Sequence, residues 1–123
     1  MIDKHLLTAC ALVLAAPLCL AEGDATQGKA LFNGQCGFCH STEAGKHLMG
    51  PSLHGVAGSA SAQVAGFNYS AALKGSQLRW DDASLDRWLT GPATVVPGNM
   101  MMFPGQADAQ ARRNLIAYLK TLK

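Results

Sequence analysis

The chain has 123 residues, which is enough for one small domain with a short additional segment. Its 10 basic and 8 acidic side chains leave a formal net charge of +2. A charge so close to neutral provides no strong attraction to nucleic acid, so the composition argues against a nucleic-acid-binding protein.

An apolar stretch lies near the start of the chain. Residues 6–20 read LLTACALVLAAPLCL, which is shorter than the ~20 apolar residues that a membrane-spanning helix needs. The tripeptide CLA at its end has small side chains at the two positions that a signal peptidase recognises. We therefore predict that residues 1–21 are a cleaved secretory signal and that residues 22–123 form the mature domain. An uncleaved anchor and a lipidated Cys10 are the less favoured interpretations.

Cleavage removes two of the four cysteines and leaves Cys36 and Cys39. The mature chain is small, and domains of this size usually gain stability from disulfides, a metal or a cofactor. One pair of cysteines separated by two residues cannot staple a whole domain. We therefore expect a bound cofactor.

The first helical pattern begins at Asp24, a good N-cap with Gln27 three residues on, as in a capping box. Leu31 and Phe32 provide an inward-facing stripe. Gly28 lies in mid-helix, where glycine costs about 1 kcal/mol relative to alanine. We interpret Gly28 as a point where a second helix approaches closely.

Residues 41–67 show no regular period and are punctuated by Gly, Ser and Pro. A loop of this length in a compact domain indicates a task such as wrapping a cofactor. A short helix is predicted over residues 69–74. Asp81 is predicted to cap another helix, which runs to Leu89 and is stopped by the Gly-Pro pair that follows.

The last segments complete a helical pattern. Residues 93–105, ATVVPGNMMMFPG, are predicted to form a loop, and Asp108 is predicted to cap the final helix. The apolar face of that helix consists of Ala111, Leu115, Ile116, Leu119 and Leu122. Strand signals are nearly absent, so the sequence predicts an all-α domain of three to five helices with one large loop.

The motif CGFCH at residues 36–40 admits three interpretations. A redox dithiol belongs at a strand-to-helix junction, and no strand pattern precedes the motif. A zinc site needs further ligands, and His47 and His54 lack the usual paired spacing. The motif is also the signature of c-type haem attachment, in which two thiols add to the porphyrin vinyl groups and the adjacent imidazole reaches the iron. Export and a downstream methionine favour this third interpretation.

From residue 23 to residue 123 the chain resembles class I c-type cytochromes of the mitochondrial and bacterial electron-carrier type. The matching segments are GDATQGKALFNGQCGFCH, GKHLMGPSLHGVAG, GFNYSAALK, Trp80, LDRWLTGP, PGNMMMF and NLIAYLK, in the family order. The resemblance implies a helical fold wrapped around one covalently attached haem. It also implies that the first and last helices cross, with Gly28 and Phe32 against Leu115 and Tyr118.

The resemblance implies roles for individual residues. Cys36 and Cys39 would carry the thioether bonds, and His40 would be the proximal iron ligand. The carbonyl of Pro51 would accept a hydrogen bond from the imidazole and fix its tautomer. The family pattern Pro-Gly-x-x-Met-x-Phe selects Met101 as the distal ligand from three consecutive methionines.

Tyr69 and Trp80 match family residues that hydrogen-bond the haem propionates. A His/Met pair fills both axial positions, leaves no site for a substrate and raises the reduction potential. The resemblance therefore implies an electron carrier, not an enzyme, with redox proteins as its donor and acceptor. We expect a periplasmic protein with no membrane span in the mature chain, either a monomer or a subunit of an oxidoreductase complex.

The chain departs from the mitochondrial pattern, in which lysines ring the exposed haem edge. Leu73 stands where asparagine is usual, and Trp88 where tyrosine is usual; we expect the less polar pocket to raise the potential. Docking should depend only weakly on salt, since the positions of the lysine ring carry Gln35, Ala93, Thr94 and Met100.

The sequence leaves two alternative functions open. One is a dedicated cytochrome subunit of a periplasmic dehydrogenase, which the missing lysine ring favours. The other is a haem enzyme or gas sensor whose distal methionine is absent or labile. A zinc-binding module is a distant third.

Overall fold

The computed structural model describes residues 21–123, so the predicted signal sequence lies outside the described residues except for Ala21. The described chain forms five α-helices: α1 (Ala25–Gln35), α2 (Ala71–Gly75), α3 (Asp82–Thr90), α4 (Pro92–Val95) and α5 (Ala109–Leu119). Within the same range, β pairing is confined to an isolated antiparallel bridge between Ala60 and Arg79. The prediction of an all-α domain with three to five helices is confirmed.

Helix α1 begins where the sequence predicted. The carboxylate of Asp24 accepts hydrogen bonds from the backbone N–H groups of Thr26 and Gln27, at 2.8 and 3.1 Å. These bonds satisfy donors that a helix N-terminus otherwise leaves free. The second bond of a capping box is absent from this cap, because the N–H of Asp24 donates instead to Oδ1 of Asn114, at 2.8 Å. The cap therefore joins α1 to α5 as well as starting the helix.

Helices α1 and α5 pack most closely at Gly28. A Cβ at this position would overlap the carbonyl oxygen of Asn114 and press on the Cβ of Tyr118, so only glycine fits the contact without a shift. Phe32 and Tyr118 meet edge to face, with ring centroids 5.3 Å apart, and Leu115 is fully buried. The predicted close approach at Gly28 is confirmed.

Two helices start at the residue after their capping side chain. The hydroxyl of Ser70 accepts a hydrogen bond from the N–H of Leu73 at 3.1 Å, so α2 starts at Ala71 and not at residue 69 as predicted. The carboxylate of Asp81 accepts one from the N–H of Ser84 at 2.8 Å, as predicted for α3. A side chain that satisfies a free backbone donor defines the first turn in both cases.

The segment after α3 contains a helix that the sequence analysis missed. Gly91 ends α3 and is also the N-cap of α4, whose first residue is Pro92. Proline is favoured at this position because its φ is already helical and it has no N–H to leave unpaired. The Gly-Pro pair that ends one helix therefore starts the next, and the predicted loop begins only after Val95.

The hydrophobic core is formed by α1, α3 and α5 together with single residues of the segments that connect the helices. Its buried side chains are Phe32, Val56, Trp80, Leu85, Trp88, Leu89, Val96, Leu115, Ile116 and Leu119. Trp80 and Trp88 meet edge to face, with ring centroids 5.1 Å apart. The buried face of α3 consists of Ser84, Leu85, Trp88 and Leu89. Among the described helices, none has the length and apolar character required to cross a membrane.

Candidate haem site

The CGFCH motif forms a tight turn directly after α1. Cys36 is the C-cap of the helix, and its N–H donates to the carbonyl of Phe32 at 2.7 Å. The N–H groups of Cys39 and His40 both donate to the carbonyl of Cys36, at 3.0 and 2.9 Å. Both cysteines are free and partly exposed. One short piece of backbone therefore carries two free thiols and the imidazole.

The thiol of Cys36 has the wrong properties for a redox dithiol. Burial raises the pKa of Cys36 to about 11, and the neighbouring Cys39 adds to the increase. A thiol with this pKa is protonated at neutral pH, whereas a reactive redox cysteine has a lowered pKa. The element that leads into the motif is a helix and not a strand. Both observations weigh against the dithiol interpretation.

His40 is buried, and its ring is oriented by backbone groups. Its Nδ1 lies 2.7 Å from the carbonyl oxygen of Pro51. A carbonyl oxygen can only accept, so Nδ1 carries the proton and the lone pair of the neutral ring is on Nε2. Burial lowers the pKa of His40, and the bond to Pro51 opposes this shift. Neutral imidazole with a free lone pair is the form that binds a metal.

Gly50 completes the surroundings of the imidazole. A Cβ at Gly50 would overlap Cε1 of His40, so the ring lies directly against the glycine backbone. The N–H of Gly50 donates to the carbonyl of Cys39 at 2.8 Å. This bond ties the Gly-Pro segment to the CGFCH turn and holds Pro51 within reach of the ring.

The three consecutive methionines differ in their surroundings. Met101 is partly buried and packs against the hydrophobic core, whereas Met100 and Met102 are 66% and 100% exposed. The N–H of Met101 donates to Oδ1 of Asn99 at 2.9 Å, and Nδ2 of Asn99 donates to the carbonyl of Val96 at 2.8 Å. Of the three thioethers, only that of Met101 belongs to the interior.

The loop that carries Met101 is attached to both α3 and α1. Gly105 has a φ of +111°, and a Cβ there would overlap the carbonyl oxygen of Thr90. The N–H of Gln106 donates to the carbonyl of Leu89 at 2.7 Å. Its side-chain amide donates to Oε1 of Gln35 at 3.2 Å. Because Gln35 ends α1, this last bond brings the methionine loop beside the CGFCH turn.

Tyr69 and Trp80, the two predicted hydrogen-bond donors to the haem propionates, lie outside the CGFCH turn and the loop that carries Met101. The hydroxyl of Tyr69 accepts a hydrogen bond from the N–H of Val64 at 3.3 Å. Burial raises the pKa of Tyr69, so the hydroxyl keeps its proton and can donate it in a hydrogen bond. Trp80 is buried, and its backbone N–H donates to the carbonyl of Ser59 at 2.8 Å. Their roles toward the propionates stay predictions.

His47 belongs to the scaffold of the long loop. Its Nδ1 accepts the N–H of Ser52 at 3.1 Å, and its Nε2 then donates to the carbonyl of Ala65 at 2.9 Å. Both ring nitrogens are therefore occupied, so His47 offers no lone pair to a metal. Among residues 21–123, no group of three or more His, Cys, Asp and Glu side chains gathers into a metal site. The zinc interpretation thus has no ligand set in this part of the chain.

The donor set fits a covalently attached haem. Two free thiols stand on one turn, as the two vinyl groups of a porphyrin require. His40 presents the Nε2 lone pair that an iron ligand needs, and Met101 places one thioether in the interior. The fold and the site together define a class: helical domains that bind haem through a Cys-x-x-Cys-His turn.

Comparison with known proteins identifies the family within this class. The Cytochrome c family model matches residues 25–123. The chain is 45% identical over 101 residues to cytochrome c of Euglena viridis, which covers 82% of this chain and 99% of that protein. It is 44% identical over 101 residues to cytochrome c2 of Rhodopila globiformis, covering 82% of this chain and 95% of that protein.

A solved structure agrees with the sequence matches. Cytochrome cH from Methylobacterium extorquens aligns with a TM-score of 0.75 at 43% identity, and the alignment covers 80% of this chain and 99% of that chain. The chain therefore belongs to the cytochrome c family. It is a class I c-type cytochrome that binds covalently attached haem c with iron, and it is an electron carrier rather than an enzyme.

Proposed function

We propose that this protein carries single electrons between redox proteins of the periplasm, with its haem iron bound by His40 and Met101. The observation that carries the proposal is the contrast among the methionines: Met101 packs against the core, while Met100 and Met102 are exposed. When bound, the haem supplies the reversible change in the oxidation state of iron.

The residues of the site have separate tasks in this proposal. Cys36 and Cys39 bind the haem covalently, so the cofactor stays attached in both oxidation states. Pro51 fixes the ring of His40 and increases the basicity of Nε2 by accepting the Nδ1 proton in a hydrogen bond. The thioether of Met101 raises the reduction potential relative to a second nitrogen ligand.

The anchored loop has a further task in an electron carrier. The bonds from Gln106 to Leu89 and Gln35 hold the loop to two helices. A loop held in this way keeps Met101 in place when the charge on the iron changes. Tyr69 and Trp80 act as donors to the haem propionates in this proposal, and the free proton of the Tyr69 hydroxyl supports that role.

The proposal includes export. The apolar stretch of residues 6–20 and the CLA tripeptide support cleavage after residue 21, which leaves residues 22–123 as the mature protein. The mass of the exported holoprotein tests this boundary: a chain that keeps residues 1–21 would contradict it.

The optical spectrum of the ferrous holoprotein tests the proposed ligands. With His40 and Met101 both bound, the iron has no free coordination position, so we expect a low-spin spectrum that carbon monoxide leaves unchanged. A prompt spectral shift on adding carbon monoxide would show an open or labile position. That result would replace the carrier proposal with a haem enzyme or gas sensor.

A further inference from the structure

The exposed large apolar side chains of residues 21–123 all lie on segments connected to the haem site. Phe38 is inside the CGFCH turn and is 87% exposed. Leu48 and Met49 precede Gly50, whose N–H donates a hydrogen bond to the carbonyl of Cys39. Met100 and Met102 lie on either side of Met101. Gathered apolar side chains mark an interaction surface, whereas scattered ones do not. The full set is Phe38, Leu48, Met49, Met100 and Met102.

The two chain segments that contain Phe38 and the exposed methionines Met100 and Met102 carry no charged side chain. Residues 30–42 and residues 88–107 contain no Asp, Glu, Lys or Arg. The bond between the side chains of Gln35 and Gln106 joins the two segments, at 3.2 Å. Near Leu48, Lys46 is paired with Glu43 at 3.4 Å, so that pair adds no net charge. The CGFCH turn, the methionine loop and the residues that flank them in the chain therefore carry exposed apolar side chains and no formal charge.

We propose that Phe38, Met100 and Met102 form a docking surface for a redox partner protein whose own docking face is apolar and uncharged. This inference rests on the proposed electron-carrier function, because a carrier must bring its partner close to the haem. Phe38 lies between the two cysteines that attach the haem, so a partner on Phe38 is beside the attachment points.

The lack of charge selects among partners. Carboxylates of an acidic partner would lose water on contact with this surface and would gain no cation in return, which is unfavourable. An apolar face loses no such hydration and gains burial of its own apolar area. Methionine side chains are flexible and adapt to different surfaces, which suits a brief contact. The encounter gains no electrostatic steering, so its rate should be nearly independent of ionic strength.

Electron self-exchange tests the proposal, because a second copy of the protein presents the apolar, uncharged face that the proposed partner would have. One electron passes from the ferrous holoprotein to the ferric holoprotein, and mixtures of the two report the rate through NMR line widths. We compare the unaltered protein with Met102→Lys, Phe38→Lys and the control Ala83→Lys. Ala83 is exposed on α3 and lies outside both uncharged segments. Met102 is fully exposed, so its substitution leaves the core intact.

We expect self-exchange of the unaltered protein to be independent of ionic strength. Lysine at position 102 or 38 should slow the reaction about two- to five-fold at low salt, because two like charges then meet across the contact. High salt should restore the rate. The control should match the unaltered protein.

A steep salt dependence in the unaltered protein, or identical rates in all four proteins, would overturn the docking surface. A stable dimer in sedimentation would also overturn it, by assigning the surface to a second copy. Oxidation of each ferrous protein by ferricyanide distinguishes this failure from failure of the carrier function. Reversible oxidation without the expected salt pattern rejects the docking surface alone, whereas loss of reversible oxidation rejects the carrier proposal.

Discussion

The contact between α1 and α5 and the loop that carries Met101 are built in different ways. In the helix contact, Gly28 lies against the backbone of Asn114, and the side chain of Asn114 accepts a hydrogen bond from the N–H of Asp24. The loop contains no helix and is held by a few hydrogen bonds, with exposed methionines on either side of Met101. The helix contact has no room for an added atom at Gly28, whereas the loop leaves the side chains of Met100 and Met102 in solvent.

In the proposed carrier, this difference separates the residues that maintain the fold from the residues that bind the haem iron or the redox partner. Close-packed contacts respond to a single added methyl group. Exposed side chains of an anchored loop can change with little effect on stability. Substitutions in the helix contact should therefore change the free energy of unfolding, while substitutions around the haem should change potential, ligation or docking.

Gly28→Ala should give the largest effect on stability. The added Cβ would overlap the carbonyl oxygen of Asn114, which forces the helices apart and costs about 3 kcal/mol. The matched control is Gly34→Ala in the same helix, where no atom lies within 4 Å of the added Cβ. That change should instead stabilise the helix by up to about 1 kcal/mol. Urea unfolding of both holoproteins, followed by circular dichroism, measures the difference. Equal effects of the two substitutions would refute the account of the helix contact.

Leu73→Asn should have a smaller effect, and on the potential rather than on the fold. Leu73 is partly buried and packs against the core. A polar side chain in its place makes the oxidised, more highly charged haem less unfavourable, so the reduction potential should fall. We expect a decrease of tens of millivolts, where ~59 mV is a tenfold change in a one-electron equilibrium. Spectroscopic redox titration measures the potential.

The matched control for this position is Leu73→Met, which keeps the site apolar at a similar volume. Its potential should stay close to that of the unaltered protein. An unchanged or higher potential in Leu73→Asn would show that the polarity of this position does not influence the iron.

Local chemistry explains which parts of the fold were predictable from the sequence. Asp24, Asp81 and Asp108 each accept a backbone N–H at the start of a helix, and such caps depend on neighbours in the chain. The bond from Asp24 to Asn114 joins residues far apart in the chain, so no local pattern indicates it. Helix α4 was missed because a Gly-Pro pair is an equally good signal for ending one helix and starting another.

In the candidate site, too, local sequence patterns identify some residues, while contacts between distant segments identify others. The CGFCH spacing fits haem attachment, because the porphyrin sets the distance between the thiols, but the motif alone also admits a redox dithiol or a zinc site. Three consecutive methionines have identical local chemistry, and only the resemblance to the family singled out Met101. The structure separates them by packing, since one lies against the core and two lie in solvent. That contrast depends on how the whole loop is attached to α1 and α3.

The most direct test of this account is the binding of carbon monoxide to three ferrous variants: Met100→Leu, Met101→Leu and Met102→Leu. Each removes one thioether and keeps an apolar side chain of similar size. We predict that Met101→Leu alone opens the distal position and shifts its spectrum with carbon monoxide. Met100→Leu and Met102→Leu should remain unreactive, like the unaltered protein. A shift in either of these two, with Met101→Leu unreactive, would contradict the assignment of the interior methionine as the iron ligand.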